Sequence, residues 1–178
     1  ELKQLGNVSL ELKPFEDFSL NIEYAGSMWD QNKFSAADDG NNYGYATNIY
    51  IQMNPKEIEI GDLNLGKVAL SYKDRFVQSK FTSPDRFNEA EYSRNYNISS
   101  ITEQVDEKLR ELTVRLFPID ELKVLSSFSF LRRGDNFKTD RYNNTLQLSD
   151  QKAYSFLYNI DFISNKNINL KSSWFRQS

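Results

Sequence analysis

Between Tyr43 and Met53 the chain reads YGYATNIYIQM, with Tyr43, Tyr45, Thr47, Ile49, Ile51 and Met53 alternating with Gly44, Ala46, Asn48, Tyr50 and Gln52. Successive side chains of an extended strand point to opposite faces, so a period of two describes a ribbon with unlike sides. A helix would scatter the same residues around its circumference. The pattern recurs in Val8, Leu10 and Leu12; in Phe18, Leu20, Ile22 and Tyr24; in Val68, Leu70 and Tyr72; and in Leu112, Val114 and Leu116. It returns in Leu122, Val124, Ser126, Phe128 and Phe130, in Tyr154, Phe156, Tyr158, Ile160 and Phe162, and in Ile168, Leu170, Ser172 and Trp174. The expectation is an all-β chain, an antiparallel up-and-down meander of about eight strands built as serial hairpins.

The connections between these runs are of two kinds. KPFED, NPKE, PIDE and SNKN read as short corners, because proline fixes φ and Asn and Asp side chains bond locally to the backbone. Residues 26–42, 74–108 and 132–152 read as long polar loops. Short and long connections would then alternate, placing all corners at one rim of the sheet and all loops at the other. Helical material is confined to one or two short loop helices. Ser83 as N-cap before a proline favours one over 84–93. Residues 101–112 fit either a second helix or a loop entering the fifth strand.

Composition narrows the function classes. The 178 residues suffice for one domain, read as a single hairpin array over 1–178. With 22 basic and 25 acidic residues, the chain has no overall field that would gather nucleic acid or an anionic membrane surface. It lacks cysteine and histidine, which excludes disulfides, thiolate nucleophiles, Ser-His-Asp chemistry and the usual zinc ligand sets. Aromatic residues make up 14%, many large rings on a polar background. No apolar run is long enough for a membrane helix. The chain opens at ELKQLG without methionine and closes on SSWFRQS in mid-pattern, which reads as a piece of a larger chain.

Two arrangements produce such alternation. A soluble antiparallel sheet buries its apolar face on a second layer. A transmembrane β-barrel turns that face to lipid and the polar face to its lumen, with short turns on one side and longer loops on the other. Two features favour the barrel: one face carries Glu11, Lys13, Glu23, Lys73, Arg115, Lys123, Asp161 and Lys171 while the other is nearly free of charge, and no amphipathic helix is available as a cover. Tyr24, Tyr43, Tyr45 and Trp174 would suit an interfacial girdle. The partner expected on this reading is a lipid bilayer or lipopolysaccharide, at the cell outer membrane. The alternative is a structural or adhesive β-module at the cell surface or in the periplasm.

Three segments carry a resemblance to a known family: VALSYKDRFVQSKFTSPDRFNEAEYSRNYNI, RELTVRLFPIDELKVLSSFSFLRRGDNFKTDRYN and YNIDFISNKNINLKSSWFRQ. Together they span about 67–176 and resemble the serial hairpins of the giant SprA-like outer-membrane proteins. The likeness rests on F-x-E-A-E-Y-S-R-N-Y-N-I at Phe87–Ile98, on LRRGD after a strand, and on the closing S-x-W-x-R-Q, with a departure at Asn95 and Tyr96 where Asp-Trp is the expected pair. The resemblance implies a segment of a single-chain barrel that conducts folded cargo in type IX secretion. It further implies the rest of a larger barrel chain, secreted protein cargo, and PorV-like and plug subunits as partners.

Motifs with chemical potential read more simply as structure. Asp38–Asn42, DDGNN, lacks the spacing and terminal glutamate of a calcium loop and reads as a turn. Arg133-Gly134-Asp135 reads as a strand end followed by a glycine turn. Asn7, Asn97 and Asn143 open N-x-S/T triplets that matter only in a eukaryotic secretory setting. Arg132, Arg133, Lys138 and Arg141 read as a solvated basic loop with some potential to steer cargo, and Glu89, Glu91 and Asp85 beside Arg86 and Arg94 as ion pairs. A glycosidase using two such carboxylates ranks last among the readings. No catalytic, cofactor-binding or metal-ligating residue is assigned, no cofactor is expected, and the chain reads as a non-enzyme.

Overall fold

The computed structural model describes residues 2–30, 42–61, 63–83, 88–98, 104–149, 155–167 and 171–177. They form one antiparallel sheet of nine strands in sequence order: β1 (Leu2–Phe15), β2 (Phe18–Asp30), β3 (Tyr43–Ile60), β4 (Leu63–Val77), β5 (Glu107–Ile119), β6 (Leu122–Arg133), β7 (Phe137–Ser149), β8 (Ser155–Asn167) and β9 (Lys171–Gln177). One short helix, α1 (Tyr92–Asn95), lies between β4 and β5. The all-β meander expected from the alternation is the architecture found.

Register joins the alternating runs into rows that cross the whole sheet. Leu12 pairs with Leu20, Leu20 with Ile51, Ile51 with Tyr72, Tyr72 with Leu112, Leu112 with Phe128, Phe128 with Tyr142, Tyr142 with Phe162, and Phe162 with Phe175. Partners in register share a face, so this is one apolar row over nine strands. The parallel row Glu11, Asn21, Tyr50, Lys73, Glu111, Ser129 and Arg141 occupies the other face. We call the two faces outer and inner.

The strand missing from the sequence reading is β7, which lies inside the expected loop 132–152. Its first half, FKTDRY, is polar on both faces and carries no greasy period of two. Adding it changes the connections. β6 and β7 are joined at residues 134–136, a tight turn with Gly134 at φ +54°. SNKN is not a corner: Ser164–Asn167 end β8. Strict alternation of short and long connections therefore fails. The two longest connections, 31–42 and 78–106, still leave the same rim. The helix expected over 84–93 is not the one observed: 84–87 lie outside the described residues, 88–91 are not helical, and α1 overlaps the expected span only at Tyr92 and Ser93; β5 begins at Glu107 within the ambiguous 101–112 segment.

The prolines are not in the corners either. Leu12 and Phe15 face Leu20 and Phe18, so Lys13 and Pro14 together oppose one residue of β2. Asn54-Pro55 in β3 and Phe117-Pro118 in β5 repeat the arrangement, at register shifts between Met53 and Lys56 and between Leu116 and Ile119. NPKE is thus a bulge in β3, and the following turn lies beyond Ile60. A bulged residue drops out of the ladder, so a proline there forfeits no hydrogen bond. Each bulge precedes a tight turn at the short-turn rim. The turns are then tied to the next strand, Asn54 N–H donating to Asp17 O at 2.8 Å and Ser149 N–H to Glu121 O at 2.9 Å.

The β5 bulge seats against β4 at Gly66, which has φ +77°, and an added Cβ there would run into Phe117 O and lie 2.7 Å from Pro118 Cα. Left-handed φ and backbone contact both demand glycine. We predict that Gly66→Ala destabilises the chain by at least about 2 kcal/mol, combining φ strain with a backbone clash. Gly6→Ala, where a Cβ meets nothing within 4 Å, should stay within about 1 kcal/mol of the parent in denaturant titration.

Candidate functional site

The inner face is polar but not bare, because the long connection from β4 to β5 folds over it. Gln78 N–H donates to Tyr45 O at 3.0 Å, and Thr82 N–H to Ser27 Oγ at 2.9 Å. The chain passes so close over Gly44 that a Cβ there would strike the Lys80-Phe81 backbone. Helix α1 follows and ends in a reverse turn in which Asn97 takes φ +51° and Ile98 N–H donates to Ser93 O at 2.8 Å. This six-to-one bond with an asparagine in the left-handed position is how short helices are commonly terminated. It turns Tyr92, Tyr96 and Ile98 onto Leu109 and Leu131, which are register partners on the inner face, with Phe137 packed alongside.

Charged groups pin this apolar patch. Glu107 is buried and meets Arg75 Nη2 at 2.6 Å and Arg133 Nε at 3.1 Å. Tyr92 donates its hydroxyl proton to Glu107 Oε1 at 2.7 Å and accepts from Arg75 Nη2 at 3.2 Å. Next to it, Arg141 grips the fully buried Asp161 with Nε to Oδ1 at 2.8 Å and Nη2 to Oδ2 at 3.0 Å, while its guanidinium lies 5.9 Å from the Tyr96 ring centroid. Asn165 Nδ2 donates to Asn97 O at 3.0 Å, and the Thr139 hydroxyl lies 3.1 Å from Tyr96 O. A buried charge left alone would be costly, so each carboxylate is committed to an arginine. Toward the short-turn rim the inner face continues as polar pairs: Thr113 with Ser127 at 2.9 Å, and Asn159 Nδ2 donating to Thr145 Oγ1 at 2.8 Å.

Several sequence assignments are resolved by this geometry. The basic loop divides by register. Arg132 and Lys138 pair on the outer face, whereas Arg133 and Arg141 point inward and are largely buried rather than solvated. Arg133 and Asp135 are therefore not displayed together as an adhesive tripeptide. Glu89 and Glu91 lie exposed, and Glu91 is bonded to Arg94 at 2.7 Å. Asp85 and Arg86 lie outside the described residues, as do Asp38 to Asn41. Asn97 closes α1, and Asn143 Nδ2 donates to Asn159 Oδ1 at 3.2 Å. Among the described residues, no group of three acidic side chains is gathered as a metal site. The cluster around Glu107 escaped the sequence reading because its members come from β4, α1, β5 and β6.

Among the described residues the outer face has no such cover. Of the large hydrophobic side chains exposed among the described residues, all but Leu5, Leu65 and Leu157 fall on its rows, including Val8, Leu12, Leu112, Phe128 and Phe156. Tyr24, Tyr45 and Phe76 stack near the long-loop rim, with ring centroids 6.1 and 5.5 Å apart. The register of β9 places Trp174 opposite inward-facing Ile163, and Lys171 opposite Lys166 on the outer face, the reverse of the expected assignment for both. Nor is the outer face nearly free of charge, since Asp74 and Lys108 lie on it in the segment read as a loop over 74–108, and Arg110 in the segment left open between helix and loop. Comparison with known proteins found no matching family model, curated protein or solved structure.

Burial pushes the Tyr92 hydroxyl well above its ordinary value, and the adjacent Glu107 carboxylate pushes it further; burial raises Tyr96 as well. The folded loop thus keeps both phenols neutral where the unfolded chain would ionise them, near about pH 10. Their contribution is full below that pH and is lost as pH rises above it. We predict that an alkaline titration followed by tyrosinate absorbance shows a late-ionising class that appears as the 78–106 loop becomes cleavable by protease. Tyr92→Phe should remove part of that class and weaken loop docking by about 1–2 kcal/mol.

Proposed function

We propose that this chain is a wall sector of an outer-membrane β-barrel, with its outer face against lipid and its inner face lining a lumen into which the 78–106 loop folds. One observation carries the reading. A nine-strand sheet exposes an unbroken apolar row on one side and spends its loop, its ion pairs and its small buried core on the other. In water the burial would be reversed, because exposed apolar area is unfavourable by about 25 cal/mol per Å². From Leu122 to Phe130 the greasy side of β6 runs roughly 27 Å along the strand at about 3.4 Å per residue. Tilted by about 40°, as barrel strands are, it spans roughly 20 Å of a band typically about 25 Å tall.

The sheet order begins at β1 and ends at β9, which do not pair with one another. Their free ladder edges suit continuation by further strands of a larger barrel, since closure is what removes edges. This agrees with the resemblance to SprA-like translocons. On that reading, secreted cargo would pass along the inner face, and the Phe87–Ile98 signature, whose Tyr92, Tyr96 and Ile98 seat the inward loop, would narrow the passage. PorV-like and plug subunits would be the attendant partners.

The test is insertion. The full-length protein should require detergent or bilayer to stay monodisperse. Leu70→Arg, in the middle of the outer band, should cost about 2–4 kcal/mol of folding stability in bilayers. Gln147→Arg on the inner face should be nearly neutral. A detergent-free monomer in which Leu70 and Phe156 are shielded from water would refute the proposal in favour of a soluble β-module.

A further inference from the structure

The outer face changes character toward the long-loop rim. Two residues beyond the apolar row on each strand runs a mixed row containing Asp74, Arg110, Phe130, Asp140 and Ser164. Two residues beyond that, four consecutive strands each place a cation in register: Lys108 of β5 pairs with Arg132 of β6, Arg132 with Lys138 of β7, and Lys138 with Lys166 of β8. The register then continues to Lys171 of β9. Like charges directly opposite one another in a sheet repel, so such a row is unfavourable unless something anionic answers it. The chain supplies part of the answer. Asp74 Oδ1 lies 3.8 Å from Lys108 Nζ and its Oδ2 lies 2.9 Å from Arg110 Nε, while Asp140 Oδ2 accepts from Lys166 Nζ at 3.0 Å. Arg132 and Lys138, in the middle of the row, are exposed.

The same height on the neighbouring strands carries different chemistry. There the row reads Tyr24, Thr47 and Phe76, with Tyr45 stacked on the Tyr24 ring and tilted against the Phe76 ring. Aromatic rings at the edge of an apolar band mark the level where hydrocarbon meets headgroup. Along this one level the sheet therefore passes from rings on β2 and β4 to cations on β5–β8. We propose that the Lys108–Arg132–Lys138–Lys166 row binds phosphate groups of anionic lipid headgroups in the leaflet at the long-loop rim. This rests on the barrel reading above and adds to it a polarity and a lipid preference. Adjacent strands are about 4.8 Å apart, so the row offers a cationic ledge roughly 15 Å long. A ledge of that length fits several headgroup phosphates side by side and is longer than one free phosphate ion requires. Anionic surfaces attract basic side chains in this way, and salt screens the attraction.

The experiment reconstitutes the full-length protein in nanodiscs of zwitterionic lipid, alone or with lipid A. It measures protein-retained lipid A by native mass spectrometry and insertion by protection from protease. We expect insertion in both bilayers and selective retention of lipid A that falls with added salt. Arg132→Gln with Lys138→Gln should weaken retention roughly 30-fold while insertion is unchanged. The inner-face control Lys123→Gln should retain lipid A like the parent. Insertion in both bilayers with equal retention by parent and double variant would overturn the headgroup site and leave the barrel intact. Displacement of lipid A by inorganic phosphate at equal phosphate concentration would show a free-anion site and overturn the lipid assignment. Failure to insert in either bilayer would remove the barrel reading and this proposal with it.

Discussion

Cross-strand register is the constraint on which the rest of the molecule depends. Because side chains alternate, a slip of one residue at any of the eight pairings would move Leu20, Ile51 or Phe128 to the side of Arg141 and Glu107. The row from Leu12 to Phe175 holds its register across every strand. Irregularity is confined to the short-turn rim, beyond that row, where Pro14, Pro55 and Pro118 occupy the same place in β1, β3 and β5. Bulges there sharpen the twist without disturbing the faces below them.

With the faces fixed, the two sides are completed differently. The inner side is polar enough that water or a polar lumen would suit it, yet at its long-loop end it receives Tyr92, Tyr96 and Ile98 on Leu109 and Leu131. That patch is small, and its specificity comes from the surrounding ion pairs: Glu107 between Arg75 and Arg133, and Asp161 in the fork of Arg141. Removing one partner from such a group leaves a buried charge, so the loop's seat is geometrically exacting. The outer side is finished by no part of the described chain. Its apolar rows give way to a rim of rings and cations, an order that the proposed barrel would set against the depth of a bilayer.

How far the sequence reveals this depends on whether a feature is local. The all-β meander and the polarity of most strand positions follow from period two alone, as in Tyr43–Met53. Strand β7 is hidden because Lys138, Asp140, Thr139 and Arg141 are polar on both faces: Lys138 belongs to the cationic rim, Asp140 to the mixed row beside it, and Thr139 and Arg141 to a buried network. The prolines signalled a break in the ladder correctly, but the break is a bulge before the turn rather than the turn itself, a distinction that needs the partner strand. Arg133 and Arg141 looked like solvated charges because Glu107 and Asp161, their partners, lie 26 and 20 residues away in the chain. Charge on the outer face is hidden because Asp74 and Lys108 sit in a segment that reads as loop and Arg110 in one that reads equally as helix or loop.

The chain has no cysteine, so single cysteines can be introduced without background labelling. Nitroxide labels at 112, 128 and 142, and at their neighbours 113, 127 and 143, can be compared for access to dissolved oxygen and to a water-soluble nickel chelate in reconstituted bilayers. The account predicts oxygen-rich, chelate-poor environments at 112, 128 and 142 and the opposite at 113, 127 and 143, a period of two in lipid contact. Chelate reaching both sets equally, or both sets shielded within a protein that stays in the aqueous phase, would contradict it.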